Sequence, residues 1–360
     1  MRQAFTSDRI FDGQAFHTGA LIVEDGVVVG IENATATHLG PGLIAPGFVD
    51  LQVNGGDGVM LDASPAHLQR IAQAHARLGA TSIFPTLITD TPEITRAVVD
   101  MMASTDIPGI AGLHLEGPHL SITRKGAHDA ALIRPMSNDD LQFLTHTATR
   151  LPRLMVTLAP ESVTIPQVQA LTAAGIIVSL GHTDCTYATA CAYSAAGART
   201  ATHLFNAMSQ LGNREPGLVG AVLTRGIAAG IIADGLHVHP ANLLLAAQAD
   251  IFLVTDSMAC AGTDMTRFTL NTRTIHRANG RLTLDDGTLA GADLDMARAA
   301  RVMRAAGVTI EHALAMATSV PARVAGLGAG RLALGVPADF VHLSPDLFLQ
   351  NTWRNATLVA

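Results

Sequence analysis

One repeating unit fills most of this chain: a short apolar run followed by a helical, often alanine-rich segment. The runs predict strands at 47–53, 82–85, 109–115, 155–159, 176–180, 200–204, 228–233 and 252–255. Segments such as 66–78 and 185–196 predict the helices between them. Strands that alternate with helices form parallel sheets, and eight such units close into a barrel. The sequence therefore predicts an α/β fold, a (β/α)8 barrel of the TIM type.

The two ends of the chain show a different pattern. Apolar runs at 20–23 and 27–29 flank Asp25-Gly26, a dipeptide typical of a two-residue β-hairpin turn. Segments 330–335 and 339–343 look similar. We expect both ends to combine into one small β-sandwich domain, residues 1–42 plus 328–360, beside a barrel at 43–327.

Charge and composition exclude several classes of protein. The net charge of −7 and the lack of a basic cluster argue against a nucleic-acid partner. No uncharged apolar run reaches the ~18 residues of a membrane span. The three cysteines follow no disulfide or metal spacing, and the N-terminus shows no basic and apolar leader pattern. We expect a cytoplasmic enzyme with no membrane partner.

Glu116, His182 and His203 are the candidate metal ligands. Each lies at the end of a predicted strand, in His-Leu-Glu-Gly-Pro, Gly-His-Thr-Asp and Thr-His-Leu-Phe-Asn-Ala-Met. With 15 histidines in the chain, most must be ordinary core or surface residues. Three candidates at strand ends are more informative, because barrels place their catalytic groups at the carboxyl rim. Two imidazoles and one carboxylate suit Zn²⁺, with Fe²⁺, Co²⁺ and Mn²⁺ as alternatives.

Asp256 ends the eighth predicted strand and has two interpretations. Beside an activated water, a carboxylate can take a proton and pass it to a leaving amine. Asp is also a preferred N-cap of a following helix. The residue pattern leaves both interpretations open.

Three further residues are candidates for substrate contacts. His128 and His237 lie in loops after the third and seventh strands, where an imidazole can donate to a carbonyl oxygen that becomes negative; surface histidines are the alternative. Arg214 lies in a Gly-bounded loop after Asn206-Ala207, where backbone N–H groups and a guanidinium can bind phosphate. An ordinary solvated turn is the alternative there.

Gln52 and Asn54 end the first predicted strand, where many metal hydrolases of this architecture carry His-x-His. Amides are poor zinc ligands compared with imidazoles. The substitution predicts one divalent metal per chain, held by Glu116, His182 and His203, and leaves Gln52 and Asn54 as candidate substrate contacts.

Taken together, these motifs resemble the N-acetylglucosamine-6-phosphate deacetylases of the amidohydrolase superfamily. The resemblance runs nearly end to end. The motifs that carry it are Pro-Gly-Phe-Val-Asp-Leu-Gln-Val-Asn-Gly from Pro46, His-Leu-Glu-Gly-Pro from His114, Lys-Gly-Ala-His from Lys125, Gly-His-Thr from Gly181, Ala-Thr-His-Leu-Phe-Asn-Ala-Met from Ala201, Arg-Glu-Pro-Gly from Arg214, Ile-Ala-Asp-Gly-Leu-His from Ile232 and Leu-Val-Thr-Asp from Leu253.

The resemblance implies hydrolysis of an N-acetyl amino-sugar phosphate by a metal-activated water. Asp256 would be the general base and acid, and His128 would polarise the acetyl carbonyl. The residues implied to hold the sugar and phosphate are His237, Asn206, Ala207 and Arg214. The family is typically homodimeric, with Arg214 reaching the neighbouring site.

The sequence departs from the family pattern at His119, Asp129 and the Ser257-Met258-Ala259-Cys260 run. These positions touch the edges of the site, so they bear on substrate detail and not on reaction class. Two alternatives remain at this point: deacetylation of another N-acyl amino-sugar phosphate, such as the galactosamine analogue, and a barrel that binds sugar phosphate without catalysis.

Overall fold

The computed structural model describes residues 1–270 and 273–359 and contains the predicted barrel. Its eight strands pair in chain order, each parallel to the next. They are β1 Phe48–Val53, β2 Ala80–Ile88, β3 Leu113–Glu116, β4 Leu154–Leu158, β5 Ile177–Leu180, β6 Thr200–Ala201, β7 Ala228–Ile231 and β8 Ile251–Leu253. The predicted (β/α)8 fold is confirmed.

Helices cover the outside of the barrel, and side chains cap most of their N-termini. Ser64 and Thr91 each accept a backbone N–H at the start of the first two helices, and proline follows each cap. The helices are α1 Pro65–Arg77, α2 Pro92–Ser104, α3 Asn138–Ala148, α4 Ile165–Ala173, α5 Tyr187–Ala195, α6 Gly217–Arg225, α7 Pro240–Ala246, α8 Met296–Ala305, α9 Ile310–Ala317 and α10 Ser319–Ala325, with a 3₁₀ turn at Ile122–Arg124. Among the described residues, none of these helices is long and apolar enough to span a bilayer.

The barrel closes between β1 and β8 through a short seam. The Asp256 N–H donates to the Gln52 carbonyl at 3.0 Å, and the Asn54 N–H donates to the Ser257 carbonyl at 2.8 Å. Both bonds lie just beyond the end of β8. The seam therefore brings the end of β1 directly against Asp256.

Strands from both chain ends form two further sheets that pack together. One contains Arg2–Thr6, Ala20–Glu24, Val27–Glu32 and Thr37–His38; the other contains Arg9–Phe11, Phe16–His17, Leu43–Pro46, Phe340–Leu343, Leu349–Arg354 and Thr357–Leu358. Phe5 from the first sheet and Phe340 and Trp353 from the second share one buried core. The small β domain is confirmed, and so is its hairpin at Asp25-Gly26, where both residues have positive φ. The boundaries 1–42 with 328–360 and 43–327 stay a prediction.

Two segments differ from the sequence-based expectation. Residues 330–335 form no strand. Isolated hydrogen bonds hold this segment instead, such as the one that the Leu332 N–H donates to the Asp12 carbonyl at 2.8 Å. The sixth strand ends at Ala201, earlier than predicted, because His203 and Phe205 have positive φ and turn the chain out of the sheet.

A four-stranded antiparallel sheet between β8 and α8 was not predicted. Its strands are Arg267–Leu270, Arg273–Ala278, Arg281–Thr283 and Leu289–Ala292. Phe268, Ile275 and Leu282 from this sheet share a buried cluster with Met258 and Cys260. A two-stranded ribbon, Gly55–Gly56 with Val59–Met60, follows β1.

Candidate metal centre and active site

Glu116, His182 and His203 meet at the carboxyl rim of the barrel, as predicted. Glu116 is the last residue of β3, and the histidines follow β5 and β6 by two residues. Oε1 of Glu116 lies 3.2 Å from Nε2 of His182 and 3.0 Å from Nε2 of His203, and the two Nε2 atoms are 3.1 Å apart. All three side chains are buried. Each side chain thus directs one potential metal-ligating atom at the same point.

This donor set fits a divalent metal. Nδ1 of His182 lies 2.7 Å from the Arg124 carbonyl, which can only accept, so Nδ1 carries the proton and Nε2 presents a lone pair to the cluster. Facing lone pairs on nitrogen and carboxylate oxygen repel unless a cation lies between them. A carbonyl that orients a ligating imidazole is also a common feature of metal sites.

Backbone strain marks three strand ends of the site, two of them carrying candidate ligands. His182, His203 and Asp256 have positive φ of 47°, 33° and 49°. This region is unfavourable for histidine and less so for Asp, and it concentrates at functional sites that the surrounding structure over-determines.

Asp256 lies beside the cluster, held by two amides. Asn54 donates from Nδ2 to Oδ1 of Asp256 at 2.7 Å, and Gln52 donates from Nε2 to the same oxygen at 3.2 Å. Loss of hydration and the negative charge of Glu116 raise the pKa of Asp256 to about 6. A carboxyl group with this pKa can both accept and release a proton near neutrality.

Gln52 connects the candidate base with the ligand cluster. Its Nε2 also lies 3.3 and 3.4 Å from the two carboxylate oxygens of Glu116. The side chain is buried and lies outside the set of residues that line the cavity, whereas Asn54 is part of that lining.

His128 faces the cluster in a defined tautomer. Its Nδ1 lies 3.3 Å from the Thr89 N–H and 2.8 Å from the Thr89 hydroxyl. Because a backbone N–H can only donate, Nδ1 is an acceptor, and the neutral ring carries its proton on Nε2. Burial, with the neighbouring His182, lowers the pKa of His128 to about 3, which keeps the ring neutral.

His237 is positioned by Asp234. Nδ1 of His237 lies 2.6 Å from Oδ2 of Asp234, whose Oδ1 accepts from the N–H groups of Leu236 and His237 at 2.8 Å each. Burial opposes ionisation of Asp234, but these hydrogen bonds, led by that from the His237 ring, lower its pKa below the usual value. The ring therefore points its Nε2 edge into the cavity that it lines.

These groups surround a cavity of about 260 Å³. Of the predicted site residues it is lined by Asn54, Glu116, His128, His182, His203, Asn206, Ala207, His237 and Asp256. Arg214 is exposed and lies outside this lining, and the described lining contains no arginine or lysine.

The sequence analysis missed the apolar wall of the cavity. Leu270, Leu289 and Ala290 come from the inserted sheet, and Ile88 and Met258 complete the wall. Alternation of exposed and buried residues in Arg267–Leu270 is the signal that predicts a half-buried strand here.

The family model described as "Amidohydrolase family" matches residues 43–359. This chain belongs to the amidohydrolase family. The match covers the whole barrel and the C-terminal strands of the small domain. Amidohydrolases of similar sequence and structure carry more specific names.

Among curated proteins, this amidohydrolase is 38% identical to an N-acetylgalactosamine-6-phosphate deacetylase from Shewanella sp. (strain ANA-3), over 93% of this chain and 90% of the relative. It is 37% identical to an N-acetylglucosamine-6-phosphate deacetylase from Homo sapiens, over 88% and 83% of the two chains. Among solved structures, the N-acetylglucosamine-6-phosphate deacetylase from Pasteurella multocida matches with a TM-score of 0.94 at 32% identity, over 99% of both chains. A Mycobacterium smegmatis mutant enzyme in complex with N-acetyl-D-glucosamine-6-phosphate matches with a TM-score of 0.93 at 30% identity, over 100% of this chain and 99% of that one.

Proposed function

We propose that this amidohydrolase deacetylates N-acetylglucosamine 6-phosphate to glucosamine 6-phosphate and acetate. The observation that carries the proposal is the convergence of Glu116, His182 and His203 beside Asp256, in a cavity that also presents His128 and His237. Relatives that bear this activity in their names, at 30% identity or more, support the substrate class.

Glu116, His182 and His203 are the residues that would hold one divalent metal, zinc being our first choice and Fe²⁺, Co²⁺ or Mn²⁺ the alternatives. When bound, such an ion supplies Lewis-acid activation of water and of a carbonyl oxygen. The pair of amides at Gln52 and Asn54 supports a single ion, because both nitrogens donate to carboxylates of the site.

Asp256 moves the proton. Its Oδ1 is occupied by the two amide donors, which leaves Oδ2 to accept a proton from the attacking water and then to deliver it to the departing amine. His128 donates from Nε2 to the acetyl oxygen as negative charge develops there. A neutral imidazole suits this role, because its one ring proton is on Nε2, where it can be donated to the acetyl oxygen, and Nδ1 carries none.

The sugar and its phosphate would lie against His237, Asn206, Ala207 and Asn54. The side-chain oxygen of Asn54 is buried and has no hydrogen-bond partner among the described residues, which supports a role as acceptor for a substrate group. The cavity lining described above offers no guanidinium or ammonium to the phosphate. The resemblance to the deacetylase family implies that Arg214 of the partner subunit in a homodimer makes that contact.

The galactosamine analogue is the second candidate substrate, favoured by the Shewanella relative. The two sugars differ in the configuration of one hydroxyl group.

The three unpaired cysteines agree with a reducing, cytoplasmic location.

Acetate release tests these assignments. The purified protein, loaded separately with Zn²⁺, Fe²⁺, Co²⁺ or Mn²⁺, is incubated with both 6-phosphates and with both unphosphorylated N-acetyl sugars. We expect the highest kcat/KM with N-acetylglucosamine 6-phosphate. A higher value with the galactosamine analogue would establish the second candidate. Binding of the sugar phosphates without acetate from any of them would indicate a non-catalytic barrel.

A further inference from the structure

Asp50 is a fully buried carboxylate for which the mechanism above has no use. It lies in β1, two residues before Gln52, and its side chain has no exposed surface. Oδ1 accepts the N–H groups of Gln52 and Thr255 at 3.2 Å each, and Oδ2 accepts the Thr255 hydroxyl. Three hydrogen bonds, two from backbone N–H groups and one with a hydroxyl, therefore surround this carboxyl group.

These bonds cross the seam between β1 and β8, which has the least strand pairing in the barrel. Seven pairs of neighbouring strands in the barrel form parallel ladders, whereas β1 is joined to the segment after β8 by one isolated bridge, between Val53 and Ser257. In a regular ladder the Thr255 N–H would donate to a backbone carbonyl of the neighbouring strand. Here it donates to the side chain of Asp50 instead.

The seam bonds fix the backbone on the N-terminal side of Asp256. The Thr255 N–H is held by Asp50, and the next N–H, that of Asp256, is held by the Gln52 carbonyl. Asp256 adopts a left-handed φ of 49°, a conformation that persists only where neighbouring contacts impose it. Asp50 also accepts the N–H of Gln52, the residue whose amide donates to Asp256.

We propose that Asp50 is a positioning residue for Asp256: by binding Thr255 and Gln52 across the seam, it sets the location of the general base without touching the substrate. The inference rests on the proposed function for its kinetic consequence and on the seam geometry for its structural one.

The kinetic test compares variants of the metal-loaded protein. Asp50→Ala removes all three hydrogen bonds, and we expect kcat to fall by about 10²-fold, the cost of a misplacement near 1 Å, with KM within about threefold. Asp50→Asn keeps an oxygen for the two N–H donors, so it should recover most of that loss. Thr255→Val retains the shape of the side chain and removes the hydroxyl, with its contacts to Asp50 and to Ser257. It tests the inference even where Asp50→Ala does not fold, and we expect a loss of about tenfold in kcat.

A double-mutant comparison separates positioning from general support of the fold. In an Asp256→Asn background the base is already lost, so Asp50→Ala should lower the residual kcat by less than about threefold. An equal loss in both backgrounds would overturn the proposal. Thr318→Val is the matched control, because Thr318 is equally buried, donates its hydroxyl to the Leu314 carbonyl and lies far along the chain between α9 and α10. It should lower the melting temperature without changing kcat.

Crystal structures of the wild-type protein and of Asp50→Ala and Thr255→Val decide the question independently of activity. Displacement of the Asp256 carboxylate by more than about 0.5 Å, the tolerance of a preorganised site, supports the inference. Coincident carboxylates in all three structures overturn it. If the wild-type protein releases no acetate from any sugar tested, the proposed function fails and this structural result still stands on its own.

Discussion

Asn54 donates a hydrogen bond from its side-chain amide to Asp256 across the barrel seam, at 2.7 Å. Asn54 therefore helps to orient a carboxylate, at a position where related architectures place a metal ligand. Gln52, the other member of this pair, points its amide at Glu116 and Asp256. The N–H groups that both residues direct at these carboxylates cannot coordinate a cation.

The first prediction is one tightly bound divalent metal per chain. Elemental analysis of the active protein should give a stoichiometry near one, and Glu116→Gln should lose metal and activity together because the carboxylate is one of only three ligands. The double variant Gln52→Ala, Asn54→Ala should keep its metal. Two stoichiometric ions per active chain, or loss of all metal from that double variant, would contradict the ligand assignment.

The second prediction concerns proton transfer. Asp256→Asn should lower kcat by more than the ~10²-fold typical of a positioned general base, with little change in metal content and KM. Asn retains the shape of Asp and tolerates left-handed backbone, so the local structure should persist. Asp264→Asn, a change at an exposed acid in the same loop, is the control and should leave kcat unaltered. Near-full turnover by Asp256→Asn would refute the role.

The third prediction concerns the phosphate. Arg214→Ala should raise KM for the phosphorylated sugar by about ten- to hundredfold, since a charge-assisted guanidinium–phosphate contact contributes roughly 1.5–3 kcal/mol. Activity on the unphosphorylated sugar should hardly change. Arg199→Ala serves as the control, because Arg199 is exposed at the opposite rim, just before β6. Equal losses on both sugars would mean that Arg214 supports the fold or the dimer.

Mixing the Arg214→Ala variant with the inactive Asp256→Asn variant tests which subunit supplies Arg214. Dimers that combine an Arg214→Ala chain with an Asp256→Asn chain contain one site with an intact Asp256 and an intact Arg214 from its partner. After the two proteins are unfolded and refolded together, a fraction of the activity should therefore show the low KM of the wild type for the phosphorylated sugar. If Arg214 served its own chain, neither site would be complete and only the raised KM of Arg214→Ala would be observed.

The fourth prediction is a dependence of stability on pH that originates at Asp50. Burial raises the pKa of Asp50 to about 7, far above the value of ~3.9 in an unfolded chain. A raised pKa means that the folded state binds the proton more tightly, so the contribution of Asp50 is most favourable below pH ~4 and is lost as pH rises through about 7. The free energy of unfolding of the wild type minus that of Asp50→Asn should fall by up to about 1.4 kcal/mol per pH unit in this window. Denaturant unfolding between pH 5 and 8 measures it, and a difference that does not vary with pH would contradict the assignment.

Much of this site is visible in the sequence because parallel strands all end at one rim. That rule places Glu116, His182, His203 and Asp256 together once the strands are assigned, and the structure brings the three ligand atoms within 4.8 Å of one another. The rule does not predict the hydrogen-bond partners of each side chain. The contacts of Gln52 with two carboxylates depend on the seam between strands far apart in the chain, and local sequence patterns do not encode such pairings.

The inserted sheet shows a second limit of the sequence pattern. Its strand Arg281–Thr283 is short and only one of its residues is buried, so the local alternation is weak. The strand Leu43–Pro46 shows the converse problem. It continues without a polar break into β1, although it belongs to a different sheet, and only the pairing with Phe340–Leu343 reveals this.

That pairing also has a consequence for the order of events on the ribosome. Leu43–Pro46 is made early, whereas Phe340–Leu343 emerges only after the entire barrel has been translated. At about 5–20 residues per second, tens of seconds pass between the two. Throughout that interval the newly made N-terminal segment lacks the neighbour that completes its sheet, while the barrel strands that follow it acquire theirs one after another. Pairing between the two ends of the polypeptide is thus possible only after every strand of the barrel has been translated.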